Sequence, residues 1–118
     1  MGYINLYKQI NILKKTSLFR DVSESKIISI INLMKKETFD QGEIIITEGS
    51  KGNKFFLIIR GKVKFTYNDI FLRTFEEGNY FGELALLDNS DPIRKASAIA
   101  VSKTTCYVLE KEDFDKVI

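Results

Sequence analysis

Residues 79–98, NYFGELALLDNSDPIRKASA, decide how this chain is read. Within them Phe81-Gly82-Glu83-Leu84-Ala85-Leu86-Leu87 passes from a turn into a short apolar helix. Glycine at the turn lets backbone approach a ligand with no side chain in the way. The first N–H groups of a helix lack partners inside it and can receive an anion. Glu83 would repel a phosphate unless its carboxylate faces something else, such as sugar hydroxyls. Arg94, beyond a polar loop, offers a fork of donors that can neutralise a phosphate charge. Together these groups describe a pocket for a sugar phosphate.

Working outward, the flanking sequence is mostly short strands. Before the central stretch, Glu43–Thr47, Phe55–Arg60, Lys62–Tyr67 and Ile70–Phe75 are rich in β-branched and aromatic residues. The turns between them carry Gly49, Gly52, Gly61, Asn68-Asp69 and Gly78. After it, Ala96–Ala100 and Thr104–Leu109 read as two more strands. Short strands at regular intervals predict an all-β sandwich or barrel. The N-terminal segment has a different period. Ile4, Leu6, Ile10, Ile12 and Leu13 form one helical face, and Ser23 caps a second helix running to about Lys36 through Ile27, Ile28, Ile30, Ile31 and Leu33. Glu110-Lys111-Glu112-Asp113 opens a last helix with acidic residues in its first turn, and Ile118 falls inside that helix.

Composition bounds the function. A chain of 118 residues makes one domain with one modest core. Eighteen basic against sixteen acidic residues leave +2, too little to argue for nucleic acid or an anionic membrane. No apolar run approaches the ~20 residues of a membrane span, and the N-terminus lacks the apolar core of a signal peptide. With Cys106 as the one cysteine no intrachain disulfide can form, and a cytoplasmic setting is expected. Cys106 lies in an apolar run and reads as a buried small residue. The absence of histidine argues against metal-dependent β-barrel hydrolases and against triads with an imidazole base. A binding role without catalysis or metal is expected.

FGELALL, followed by a loop with Pro92, Arg94 and Ala96, resembles the phosphate-binding cassette of cyclic-nucleotide-binding domains, most closely those of cyclic-GMP-dependent protein kinases. The resemblance extends over nearly the whole chain. It implies an eight-stranded β-roll or jelly-roll barrel with N-terminal helices, a short phosphate-binding helix and the start of a C-terminal helix. The single domain 1–118 then divides into a helical part 3–36, a barrel 37–110 with the cassette 79–98, and the helix start 111–118.

By the same resemblance, Gly82, Leu84 and Ala85 offer backbone N–H groups to a cyclic phosphate. Glu83 accepts the ribose 2′-hydroxyl, Arg94 pairs with a phosphate oxygen, and the backbone of Ala96 closes the other side. Leu72 and Arg73 stand where those kinases face guanine, and an arginine there can donate to the guanine O6. This favours cyclic GMP over cyclic AMP as ligand, with a kinase catalytic domain or tandem cyclic-nucleotide-binding domains as partners. Two departures from the pattern stand out. Lys95 occupies the position where cyclic-GMP-preferring kinases carry threonine, leaving Ser97 as the nearest hydroxyl. The segment Asp88–Ile93 is about two residues longer than the common spacing, and Asp88 and Asp91 could compete for Arg94. The alternative to a sensor is a degenerate domain of the same fold that binds no nucleotide and serves as an interaction module. In the family a C-terminal helix closes over the base, and most of that element would lie past Ile118.

Overall fold

The computed structural model describes residues 6–87 and 93–118. The chain starts with two helices, α1 (Leu6–Lys14) and α2 (Glu24–Leu33). They are joined by a segment that Thr16 organises: its hydroxyl donates to the Leu13 carbonyl at 2.8 Å and accepts from the Phe19 N–H at 3.1 Å. This lets Phe19 turn inward and become fully buried. Ser23 caps α2, its hydroxyl accepting from the Lys26 N–H at 3.4 Å. Residues 1–5, including Ile4 of the expected first helical face, lie outside the described residues.

α2 is shorter than its sequence suggests. It ends at Leu33, because Met34 is extended with ψ 142° and Lys35 already pairs with Val108. The segment Lys35–Phe39, expected to hold the end of that helix and the start of the barrel, is strand β1. Five ladder positions against the C-terminal strand outweigh the helix preference of its lysines and Glu37.

The remaining strands are β2 (Ile44–Ile46), β3 (Lys54–Arg60), β4 (Lys62–Tyr67), β5 (Ile70–Glu76), β6 (Tyr80–Phe81), β7 (Ser97–Ala100) and β8 (Thr104–Glu110). A one-turn helix, α3 (Leu84–Leu87), follows β6, and α4 (Lys111–Val117) follows β8. The strands form two four-stranded sheets, ordered β1-β8-β3-β6 and β2-β7-β4-β5, with every pairing antiparallel. This is the expected mainly-β roll with flanking helices. The hairpin β4–β5 turns on Asn68 and Asp69, both at positive φ (48° and 65°), as a right-twisted two-residue connection requires.

β3 explains how one strand serves two cores. Phe55 to Ile59 are all buried, a continuous apolar run rather than an alternating one. Successive side chains point to opposite faces. Phe56 and Ile58 face the space between the sheets with Val63, Phe81, Ala98, Cys106 and Val108. Phe55, Leu57 and Ile59 face outward, where α1, α2 and α4 cover them with Ile10, Leu13, Ile27, Ile30 and Phe114. Phe19 meets the rings of Phe55 and Phe114 edge-on, with centroids 5.9 and 5.8 Å away. Leu86 of α3 belongs to this outer cluster, so α3 is anchored among the helices while its turn faces the sheets.

Candidate functional site

The central stretch enters the site through β6. Phe81 stacks on Phe56 with ring centroids 4.8 Å apart and meets Phe65 edge-on at 5.2 Å. That packing fixes the position at which the chain leaves the sheet. Gly82 follows at φ +84°, a left-handed conformation, and a side chain there would put its Cβ 2.7 Å from the Lys54 carbonyl oxygen. Both the backbone conformation and the close approach to β3 require glycine. The Ala85 N–H donates back to the Gly82 carbonyl at 3.1 Å and the Leu86 N–H to Glu83 at 3.0 Å. The N–H groups of Glu83 and Leu84 have no backbone acceptor among the described residues.

Arg94 reaches the same place from the other direction. Its main chain is clamped to the β2–β3 loop: its N–H donates to the Ser50 carbonyl at 2.7 Å, and the Gly49 N–H donates to its carbonyl at 2.8 Å. Its neighbour Ile93 forms an isolated bridge with Lys51. The guanidinium is half-buried, with Nη2 donating to the Lys54 carbonyl at 2.8 Å. Burial lowers its pKa from the ordinary arginine value, yet a guanidinium stays charged in a protein. No carboxylate lies within ion-pair distance of Arg94 among the described residues. Asp88 and Asp91, the expected competitors, lie outside the described residues.

Glu83 is half-buried, and burial raises its carboxyl pKa. The neighbouring Tyr80 hydroxyl is raised as well, by its own burial first and by the charge of Glu83 second. No donor holds the Glu83 carboxylate among the described residues.

These groups line one cavity of about 940 Å³. Gly82, Glu83, Leu84, Ala85, Arg94, Lys95, Ala96, Leu72 and Arg73 all face it. Ser97 is not among its lining residues. Its hydroxyl is held by Glu48, accepting from the Glu48 N–H at 3.0 Å and donating to Glu48 Oε1 at 3.3 Å. Sequence reasoning missed the apolar wall, where Ile46, Phe65, Phe75 and Tyr80 form much of the surface. The alternation along β4 and β5 could have suggested Phe65 and Phe75.

The approach of Leu72 and Arg73 to one cavity also has a local cause. Adjacent strand residues normally face opposite sides. Here the β4–β5 register slips: Phe65 pairs with Arg73 and Thr66 with Phe71, so Leu72 is an extra residue on β5. Such a bulge re-aims side chains beside a site. The result is a cavity with a cation and open N–H groups at one end, a carboxylate beside them and an aromatic wall. It suits an anionic group joined to a hydroxyl-bearing ring and a flat apolar ring. Among the described residues no group of three or more His, Cys, Asp or Glu side chains is placed to hold a metal. Among them no helix is long and apolar enough to cross a membrane.

Residues 36–118 match the family Cyclic nucleotide-binding domain. The chain belongs to that family. It is 36% identical over 115 residues to the human cGMP-dependent protein kinase 2, an alignment covering 92% of this chain and 15% of the kinase. Among solved structures, a cyclic nucleotide-binding-like protein from Brucella abortus superposes with a TM-score of 0.83 at 20% identity, over 92% of this chain and 96% of that one. At that identity the likeness speaks for the fold alone. The cAMP-bound structure of PfPKA-R (residues 141–441) gives a TM-score of 0.74 at 30% identity, over 92% of this chain and 38% of that one.

Proposed function

We propose that this domain is a regulatory sensor that binds a cyclic nucleotide in the cavity, cyclic GMP in preference to cyclic AMP, and relays occupancy to a protein kinase. The observation that carries the reading is Arg94. Its half-buried guanidinium has no carboxylate partner among the described residues and sits beside the turn whose Glu83 and Leu84 N–H groups lack backbone acceptors. A half-buried cation with no carboxylate beside it among the described residues favours an anion in the site.

In this reading the cyclic phosphate lies between Arg94 and the N–H groups of Gly82, Leu84 and Ala85, with the Ala96 backbone on its other side. The Ala85 N–H has to leave the Gly82 carbonyl to reach it. Glu83 takes the ribose 2′-hydroxyl. The base lies along the apolar wall, where Arg73 can donate to the guanine O6 and Leu72 packs on the ring. Lys95, at the cavity edge, adds positive charge near the phosphate. Likeness to a cGMP-dependent kinase supports the ligand class and the partner, a kinase catalytic domain or tandem sensor domains, in a cytoplasmic setting. Catalysis would belong to that partner.

Leu86 supplies a route for relay, because it packs in the same cluster as Phe114 of α4 and Ile10 and Leu13 of α1. A ligand that draws the turn at Gly82 inward moves Leu86 with it. It shifts the helices by as much as its affinity differs between the two arrangements.

Titration calorimetry with cyclic GMP and cyclic AMP tests the assignment, with Glu83→Ala and Arg94→Ala alongside. The expected result is saturable heat, larger affinity for cyclic GMP, and losses of roughly tenfold to a hundredfold in each variant, the size of one charged hydrogen bond. Absence of heat with either nucleotide at about millimolar concentration would remove the sensor reading and favour a non-binding interaction module.

A further inference from the structure

We propose that Gly52 is a positioning residue for Arg94, a bare patch of backbone that seats the guanidinium where the anion is to bind. This deepens the nucleotide reading above and rests on it. Gly52 lies in the β2–β3 loop and is buried, and its φ lies outside the left-handed region. Its backbone would therefore accept an L side chain without conformational strain. What a side chain there meets first is the side chain of Arg94. A Cβ at Gly52 would overlap Nε and Cζ of Arg94 and lie 2.6 Å from Nη2. The three nearest heavy atoms all belong to that one side chain.

Other tight glycines differ in kind. At Gly61 the obstructing atoms are Thr104 and the Lys103 carbonyl, and at Gly82 the nearest is the Lys54 carbonyl. Gly61 serves chain packing, whereas Gly82 meets both the β3 backbone and the edge of the same guanidinium, with Arg94 Nη1 and Nη2 next at 3.1 and 3.6 Å. At Gly52 the three nearest atoms all belong to the Arg94 guanidinium group.

Two further groups border the seat. Nη2 is held by the Lys54 carbonyl at 2.8 Å, and Nη1 lies 3.1 Å from the Cβ position of Gly82. The Arg94 main chain cannot yield either, because it is tied to Ser50 and Gly49 on the same loop. A methyl at residue 52 must therefore evict the guanidinium and leave the loop in place. The contacts that hold Arg94 are a backbone carbonyl and a bare Cα, both uncharged.

The test is a double-mutant cycle of wild type, Gly52→Ala, Arg94→Ala and the pair, read by calorimetry with cyclic GMP and by thermal unfolding. Gly52→Ala should weaken cyclic GMP binding by roughly tenfold or more, close to the loss from Arg94→Ala. Added to Arg94→Ala, it should change affinity by less than about twofold, because the group it displaces is gone. Unfolding should follow the same rule, with a drop of a few degrees for Gly52→Ala that vanishes when Arg94 is alanine. Wild-type affinity in Gly52→Ala would overturn the proposal, as would an equal loss in both backgrounds, which is the mark of a loop that merely needs glycine. Should Gly52→Ala alone fail to fold, normal folding of the double variant would still place the conflict at Arg94, and its failure too would overturn the seat. Wild type giving no heat would count against the nucleotide reading instead, and the unfolding cycle would still decide whether Gly52 seats Arg94.

Discussion

Alanine at Gly82 and alanine at Gly42 put the same strain on the backbone but meet different surroundings, and the pair measures how tightly the binding turn is pressed against β3. The two glycines have nearly equal φ, +84° and +87°. An added Cβ in that left-handed region costs about 1–2 kcal/mol at either site. At Gly42 nothing lies within 4 Å of the new atom. At Gly82 the Lys54 carbonyl oxygen is 2.7 Å away, and it is already fixed by the hydrogen bond from Arg94. Relieving that overlap requires backbone movement worth about 1–3 kcal/mol more. Unfolding entropy of about 2.1 cal/mol/K per residue makes 1 kcal/mol equal to about 4 °C for 118 residues. Thermal unfolding by circular dichroism should then show Tm falling about 4–8 °C for Gly42→Ala and about 8–20 °C for Gly82→Ala. Equal falls would refute the claim that the turn and β3 are in close contact.

Four further outcomes follow from burial and charge. Cyclic GMP affinity should weaken as pH falls through the raised Glu83 pKa, because burial favours the protonated carboxyl and the hydroxyl needs the ionised form; Glu83→Gln should flatten that profile. Since the folded-state pKa lies above the unfolded value, the same group should favour folding below the unfolded pKa and lose that contribution as pH rises through the folded one, a slope that Glu83→Gln removes from denaturant titrations. Phe55→Ala should lower stability by about 3–5 kcal/mol in urea unfolding, since the ring is fully buried between β3 and the helices. Cys106 should resist alkylation in the native protein and react fully in denaturant, because burial, with the Glu37 charge adding, pushes its thiol up to about 12.

Much of the fold was legible because its strands are strongly apolar and its turns are chemically distinctive. Lys62–Tyr67 is read correctly from its β-branched and aromatic residues, and Asn68-Asp69 announces the hairpin. The β1 strand was hidden because Lys35-Lys36-Glu37 has no strand signature of its own, and only pairing with β8 makes it one. Within the site, FGELALL and Arg94 could be named from the sequence, and the structure brings Arg94 and all of that stretch except Leu86 to one cavity. The contacts that aim them could not. The carbonyl of Lys54 and the bare backbone of Gly52 lie 40 and 42 positions from Arg94 in the chain, and neither shows a side chain that signals its role. The Leu72 bulge is a register effect that depends on β4, so alternation in β5 alone places Leu72 and Arg73 on opposite faces. Ser97 was drawn in by proximity to Arg94, but the structure gives its hydroxyl to Glu48, whose carboxylate also accepts the Asn68 N–H at 3.1 and 3.2 Å. Glu48 thereby ties the β2–β3 loop to the hairpin turn.

Heteronuclear NMR titration of the ¹⁵N-labelled protein with cyclic GMP, with acyclic GMP as control, tests the central claim most directly. Saturable shifts confined first to the amides of Gly82, Glu83, Leu84 and Ala85 and the Arg94 side chain, spreading to Leu86 and Phe114 and absent with the acyclic nucleotide, are what the account predicts. Unchanged spectra at about millimolar cyclic GMP and cyclic AMP, or saturable shifts that bypass Gly82 to Ala85 and Arg94, would contradict it.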